Sequence, residues 1–475
     1  MTEAPVAHRP GAGHAVVIGA GMAGMLAARV LAGHVERVTV VERDRLPDAV
    51  QPRRGVPQGW QVHALLARGL VGLERLFPGF AQDLQDAGAV PVRFPRDVLV
   101  LTRAGWVDRR APGWPSLSAS RPLIEATVRR RLLALPGVTV LDGCQVTALG
   151  ASDDGRVVRG AVVRSDDGAA FVDADLVVDA SGRGSRTPTW LADLGSPVPD
   201  RTVIDARITY ASRFYRIPDG FTADWTGLML FGDRADNPRS GYLFPVEDGR
   251  WVVGLIGARG VHAATDEEGY TAFARSLRSP VLADALADAE PVSDVHLHRG
   301  TTDARWHYER LRRRPERLLV LGDAACAFDP VYGQGMSSAV LAAEILDACL
   351  CSQRSRRSEG DLTGLAGRFQ RRLARRLAEP WLFAVGEDLR FPGTTGGTAG
   401  PLRRTLHRYQ DRLEVAATRD PVVTDVYIRA LGMLERPTAL LRPHLLLAAA
   451  RSRPARGGHP PAPAPVPTGA ETVPS

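Results

Sequence analysis

Three groups of residues in this chain have the types and spacing to do chemistry. The first is the turn Gly19-Ala20-Gly21-Met22-Ala23-Gly24, a G-x-G-x-x-G pattern with the acid Glu42 18 residues past its last glycine. In such a pattern Gly19 allows the tight turn, Gly21 lets a pyrophosphate approach the backbone, and Gly24 lets a helix pack on a strand. Ala20 and Ala23 complete the turn and count with it as dinucleotide contacts. Glu42 stands at about the offset at which a carboxylate accepts hydrogen bonds from an adenosine ribose. The second group is Gly322-Asp323 with Pro330-Val331-Tyr332-Gly333-Gln334-Gly335-Met336. An acid at a strand end, a Pro/Gly loop and a helix start offer backbone N–H groups to an anion or an electron-rich ring edge. The third is sparse: His63 and Gln334 are the side chains nearest these loops that could handle a proton or a hydrogen bond. For His63 a partly buried packing role is the commoner reading. All 60 Lys and Arg residues are arginine, so no amine exists for Schiff-base or lysine general-base chemistry.

These residues need elements to position them. Ala15–Ile18 reads as a short buried parallel strand, Met22 to about Ala32 as the helix whose positive end faces the phosphates, and Val38–Val41 as the strand ending in Glu42. A helix is expected from about Gln58, with Val62, Leu65, Leu66 and Leu70 on one face and His63 within it. Ser118 to Pro122 should cap a helix over Leu123–Leu135. Strands are expected at Val138–Leu141, Val157–Val163 and Phe171–Val178. Asp153-Asp154-Gly155 and Asp166-Asp167-Gly168 are hairpin signals, so a small antiparallel unit interrupts the parallel strands. Leu176–Asp179 empties into the loop Ser181–Arg186.

Residues 201 to 260 change character, with alternating aromatic and β-branched residues that predict a separate antiparallel sheet. Two amphipathic helices are expected within Glu267–Ala289, a buried strand at Leu318–Leu321 and a helix over Ala339–Leu350. From Leu362 to Ala450 the pattern is helical with a break at Pro392–Gly400. The fold class is therefore α/β: a discontinuous Rossmann-like dinucleotide-binding domain, an antiparallel sheet and a helical C-terminal region. The expected organisation is 14–200 and 292–350 for the cofactor domain, 201–291 for the sheet and 351–451 for the helices. Residues 452–475 read as a disordered Pro/Ala-rich tail, and the first dozen as a disordered lead without signal-peptide character.

Composition bounds the function classes. A 475-residue chain with 44% hydrophobic residues suits a soluble multidomain protein, and no apolar run of about 18 residues marks a membrane span. The net charge of +7 comes from arginines spread along the chain against 53 acids. The runs at 310–318 and 368–381 therefore read as solvent-facing helix arginines and not as a nucleic-acid surface. Cys144, Cys326, Cys349 and Cys351 form no C-x-x-C pair, and no histidine cluster has zinc spacing, so no metal or disulfide is expected and the setting reads as cytoplasmic.

Taken in order, the first glycine turn with Glu42, Asp179-x-x-Gly182, and Gly322-Asp323 with Pro330-x-x-Gly333-x-Gly335 resemble the class A flavoprotein monooxygenases of the para-hydroxybenzoate hydroxylase fold. Within them the chain looks most like the polyether-pathway flavin epoxidases of the lasalocid and monensin type. That likeness rests on Arg54-Gly55-Val56-Pro57-Gln58, Val177-Val178-Asp179 with Gly182-Arg183-Gly184-Ser185, Gly249-Arg250-Trp251, Asp329 to Gly333, and Arg419-Asp420. The resemblance implies bound FAD, with NAD(P)H as transient reductant. It places Glu42 on the ribose, Arg43 beside the adenine, and Arg54 and Arg121 at flavin phosphate or ring positions. Val146 would present backbone to the adenine, Asp323 would hold the ribityl hydroxyls, and Gly335 and Met336 would face the pyrimidine edge. Gln61-Val62-His63 stands where those epoxidases carry His-x-His, and Gly333-Gln334-Gly335 where they carry Gly-His-Gly. Asp329 stands where they carry asparagine.

The implied activity is insertion of one oxygen, by epoxidation or hydroxylation, into a large apolar, polyketide-type substrate. The substrate wall would be drawn from Tyr210, Phe214, Met229, Phe231, Tyr242, Phe244 and Trp251, about half of them inward by alternation. A second reading is a flavin-bound cyclase that closes a polyketide chain by [4+2] addition without redox change, by shape alone. Halogenation is disfavoured by the missing lysine and the missing W-x-W-x-I-P. Oligomeric state is not legible.

Overall fold

A short run of small and branched residues such as Ala15–Ile18 is stable only when strands flank it on both sides. In the computed structural model, which describes residues 11–453 apart from 64, 234–236 and 359, Gly11–Ile18 pairs in parallel with Val35–Val41 and with Leu176–Asp179. Leu318–Val320 joins one edge and Val138–Leu141 the other, giving a five-stranded parallel sheet. All five strands run the same way, so their carboxyl ends form one rim, where ligands bind in open α/β sheets. Met22–Leu31 is buried nearly all round because it lies between neighbouring elements, with Arg121–Leu133 and Gln334–Arg354 both packed on it. Most of the expected lead and of the expected tail lies outside the described residues, but the end of the lead is ordered: Gly11–Gly13 begin the first strand.

The Ser120 cap forms as expected: its hydroxyl accepts the Leu123 N–H, and the helix runs Arg121–Leu133. Elsewhere the expectations need correction. No helix starts at Gln58. Pro57–Trp60 is a single 3-10 turn, the chain then runs as a strap, and the α-helix spans only Ala67–Leu76. The strap is tied to the sheet beneath it. The Gln61 amide donates to His296 O (3.0 Å) and accepts from Ser212 Oγ (2.6 Å), while Trp60 stacks on His296 at 3.8 Å. Those contacts outweigh the helical periodicity of the apolar residues that follow.

Phe171–Val178 is not one strand. Gly168–Asp173 closes a three-stranded antiparallel unit with Val158–Ser165 and Gln145–Ala151, and Leu176–Asp179 enters the parallel sheet. The break falls where the Ala174 N–H turns to Arg159 O and the Asp175 carboxylate takes the His14 N–H. The helix expected from Ala339 begins at Gln334 and reaches Arg354. By length and mean hydropathy it could cross a membrane, contrary to the sequence reading, because the mean tolerates Glu344 and Asp347. Most of it is buried against Met22–Leu31, Ala67–Leu76 and Leu365–Arg376.

The second sheet has seven strands in the order His296–His298, Thr209–Arg216, Arg250–Gly257, Arg239–Val246, Gly227–Leu230, Val98–Thr102, Gly105–Trp106. Its pairs are antiparallel except Gly227–Leu230 with Val98–Thr102. Val98–Thr102 was expected in the cofactor domain; buried at every residue, it shows no alternation to mark it as part of this sheet. Arg201–Ile204, expected here, pairs instead with Asp303–Trp306. One face of the sheet packs on Glu267–Arg275 and Val281–Ala285 through Ala211, Leu243, Leu255 and Trp251 against Tyr270, Phe273 and Leu282. Over the other lie the C-terminal helices Pro401–Ala417, Pro421–Leu431 and Pro443–Arg451, while Leu365–Arg376 and Ala378–Asp388 share a core with the parallel sheet; the helical run is broken between Asp388 and Pro401 as the Pro/Gly-rich stretch predicts.

Candidate functional site

The rim of the parallel sheet opens into a groove of about 510 Å³. Its first glycines divide into two kinds. A Cβ on Gly24 would lie 1.8 Å from Gly19 O, and one on Gly19 (φ +98°) 2.7 Å from Ala180 O, so both are packing requirements. Around Gly21 no atom lies within 4 Å of a Cβ position, and the same holds at Gly335. Those two glycines leave room for a ligand to touch backbone. Gly21 also caps Met22–Leu31, so the free N–H groups of that helix face the groove.

Glu42 borders the groove and is buried. Its Oε2 accepts the Ala20 N–H (2.8 Å) and lies 3.1 Å from Arg53 Nη1, and its Oε1 accepts the Asp44 N–H (3.1 Å). The turn, the acid and the following loop are thus one bonded unit. Arg53 is its centre, also meeting Glu125 at 2.8 Å and Asp44 at 3.1 Å. The sequence reading chose the neighbouring arginine: Arg54 is exposed and lies outside the groove lining, because one residue of register points Arg53 inward. Arg43 lines the groove with its side chain exposed, and Arg121 lines it buried, donating to Glu125 (3.2 Å). Val146 lines it from the small antiparallel unit, opposite Val163.

At the far end stand Asp323, 3.6 Å from Arg183 Nε, and the start of Gln334–Arg354. Gly333 takes a left-handed conformation (φ +64°) to begin that helix, and Gly335 and Met336 line the groove from its first turn. Gln334 does not. It is buried away from the groove with Oε1 unpartnered, because beginning the helix at 334 turns its side chain inward.

A second cavity, about 250 Å³ and lined mainly by apolar atoms, lies between the large sheet and the C-terminal helices. It shares His63, Leu66, Met229, Phe244, Val331 and Tyr332 with the groove. Of the aromatic set, Met229 and Phe244 line both spaces, Phe231 the cavity, and Tyr210 and Tyr242 the groove. Phe214 and Trp251 line neither. Phe214 packs under Trp60 and Arg250, and Trp251 faces the opposite side of the sheet against Phe221. His63 stands at the junction, its Nδ1 2.9 Å from Gln61 O. Burial and the nearby Arg121 and His298 push its pKa down to about 3, so the ring is neutral in ordinary buffer.

Sequence reasoning missed half of this cavity. Phe383, Phe391, Tyr427 and Ile428 of the C-terminal helices line it, with a polar end at Arg103, Glu387 and Glu414. No motif marks them; their one signal is apolar residues at helical spacing, which reads equally as core. Also missed were three buried carboxyls, Asp303, Asp329 and Asp388. Tyr210 donates to Asp329 (2.6 Å) and Tyr332 to Asp388 (2.6 Å). Burial, then the neighbouring Asp388, pushes Asp329 up to about 8. Away from the site the fold brings His34, Asp347 and Cys351 together, a grouping invisible to spacing rules; His34 Nε2 lies 2.7 Å from Asp347. None of the four cysteines is in a disulfide.

No protein-family model matches the chain. It is 33% identical over 434 residues to Protein Rv3254 of Mycobacterium tuberculosis, covering 89% of this chain and 90% of that one. It is 27% identical over 360 residues to kynurenine 3-monooxygenase of Salinispora arenicola (72% and 73% covered). It is 28% identical over 372 residues to 6-methylpretetramide 4-monooxygenase of Streptomyces rimosus (74% and 79%). Among solved structures, p-nitrophenol 4-monooxygenase PnpA of Pseudomonas putida superposes with a TM-score of 0.63 at 18% identity, covering 90% of this chain and 98% of that one. The flavin-dependent brominase Bmp2 superposes with a TM-score of 0.60 at 17% identity (89% and 93%).

Proposed function

Because the chain belongs to the family of Protein Rv3254 and has the fold of flavin-dependent monooxygenases and halogenases, we propose that it is an FAD-dependent monooxygenase. It inserts one oxygen atom into a large apolar, polyketide-type substrate, by epoxidation of an alkene, with NAD(P)H as reductant. The observation that carries this reading is the wall of six residues common to the dinucleotide groove and the apolar cavity. A substrate in the cavity would have its reacting carbon against whatever lies at that end of the groove.

The residues present fit FAD. Gly21 and the N-terminus of Met22–Leu31 would take the pyrophosphate, Glu42 the adenosine ribose and Asp323 the ribityl chain. Gly335 and Met336 would offer N–H groups where reduction builds negative charge. When bound, FAD supplies the activation of O2 by electrons from NAD(P)H. The chain's own part is to bind, orient and keep dry. Met229 and Phe244 hold the substrate at the common wall, and Phe231, Phe383, Phe391 and Ile428 surround its apolar body. His63, neutral and hydrogen-bonded, shapes the junction and carries no proton near neutral pH. The free cysteines fit a cytoplasmic setting.

The test compares flavoprotein and candidate alkene with and without NAD(P)H, under air and under nitrogen. A product heavier by one oxygen, formed only with reductant and air, supports the proposal. An isomer of unchanged mass formed in all four conditions would replace it with cyclisation, and a halide-dependent product with halogenation.

A further inference from the structure

Beneath the wall between groove and cavity lies a cluster that the binding of cofactor and substrate does not use. Asp303, Asp329 and Asp388 come from three separate segments, and each is at most 1% exposed. The Asp329 N–H donates to Asp303 Oδ1 (2.7 Å), which fixes the first two against each other. Asp303 and Asp388 face each other, and the Oδ2 of each is buried with no hydrogen-bond partner. Two carboxyl groups buried side by side without a cation do not both ionise, so one keeps its proton. Among the described residues no arginine or histidine forms an ion pair with any of the three. Arg183, whose charge is felt at Asp303 and Asp329, is turned to Asp323 and to the carbonyls of Thr302 and Phe328.

Each end of the cluster is closed by a phenol that reaches a ligand space. Tyr332 Oη donates to Asp388 and its ring lines both groove and cavity; Tyr210 Oη donates to Asp329 and its ring lines the groove. The other titratable groups facing the cluster are Tyr242, whose hydroxyl is buried without a partner, and Glu387, with His298 beside Tyr210. Burial, then Asp303, raises Asp388, and burial raises Asp303; both are held in the acid form more strongly than an ordinary carboxyl.

We propose that Asp303, Asp329 and Asp388 form a buried proton store and that Tyr332, with Tyr210, passes its proton to the wall between groove and cavity. This rests on the oxygenase reading, which gives the proton its use. Oxygen insertion takes NAD(P)H, one proton, O2 and the alkene to NAD(P)+, the epoxide and water. The alkene π-bond is replaced by two C–O bonds to one oxygen atom, and the second oxygen leaves as water. In delivery, the tyrosine O–H turns from the carboxyl to the departing oxygen; the carboxylic O–H breaks as its proton moves to the tyrosine oxygen, the tyrosine's original proton moves on, and the O–O bond breaks as the departing oxygen takes it. Solvent entering the open groove reprotonates the carboxylate after product leaves.

Infrared titration in light and heavy water reads the store directly on the holoenzyme without substrate. We expect a protonated-carboxyl carbonyl band at pH 7 that fades as pH rises through about 8 and is diminished in Asp388→Asn. Tyr332→Phe should keep its FAD and lower product formation roughly a hundredfold, the scale of a general acid. In the wild type, product formation should fall as pH rises through the same range, and Asp329→Asn should flatten that fall. A merely structural role would lower the rate equally at every pH. Absence of the band at pH 7 in the wild type overturns the store whatever reaction is catalysed, and needs no variant to fold. A band with product formed equally without reductant overturns the oxygenase reading and, with it, the delivery role.

Discussion

Arg53→Met beside Arg54→Met separates the structure from the simplest reading of the sequence. Arg53 is 7% exposed, and the carboxylates around it, Glu42, Asp44 and Glu125, are 7%, 13% and 7% exposed. Methionine fills much of the arginine's volume but leaves three buried acids without their cation. Removing one partner from a buried ion pair costs about 3–5 kcal/mol, and three acids sharing one cation place this site at the upper end. Arg54 is exposed, so its replacement should stay within about 0.5 kcal/mol. The assay is the urea midpoint of each variant with FAD affinity from flavin fluorescence. Arg53→Met should also weaken FAD about tenfold, because Glu42 loses the contact that holds it beside Ala20, and tenfold is about 1.4 kcal/mol. A larger loss of stability or FAD in Arg54→Met than in Arg53→Met would refute the assigned register.

Gly21→Ala should fold normally and lose FAD affinity on titration, since its new methyl meets only the ligand's space; Gly24→Ala, with a Cβ 1.8 Å from Gly19 O, should fail to yield soluble flavoprotein. Phe231→Glu should keep flavin content and lose more than tenfold in substrate turnover, because it lines the cavity alone. Trp251→Ala should instead cost about 3–5 kcal/mol in the urea midpoint, as expected for a core aromatic facing the other side of the sheet. His63, lowered to about 3, takes up a proton on unfolding below the ordinary histidine pKa, so stability should fall as pH drops through about 6.5. His63→Gln should flatten that acid limb in thermal melts and leave the pH profile of product formation unchanged above neutrality.

The cofactor side was legible because its constraints are local. Gly19, Gly21, Gly24 and Glu42 sit on one strand–turn–helix–strand unit, and each is specified by backbone geometry that a short window shows. Arg53 was missed by one residue because nothing in a loop's composition tells which of two neighbours turns inward; the carboxylates that decide it lie at 42, 44 and 125. The helix expected through His63 failed for a related reason. Its periodicity was real, but Gln61 and Trp60 gain more from Ser212 and His296, some 150 and 235 residues away, than helix propensity offers. Alternation separated the two faces of the large sheet but not position along a face, so Phe214 shares a face with Tyr210 yet lies beyond the groove. The carboxyl cluster was illegible in principle. Asp303, Asp329 and Asp388 become neighbours only when the strand Asp303–Trp306, the loop before Gly333 and a C-terminal helix are assembled.

The most direct test of the account is the fate of the oxygen atom in a single turnover. Flavoprotein reduced by NAD(P)H and then mixed with alkene substrate and isotopically heavy O2 should give a product carrying one heavy oxygen per molecule, with the other in water. A product of substrate mass, or one whose oxygen comes from the solvent, would contradict it.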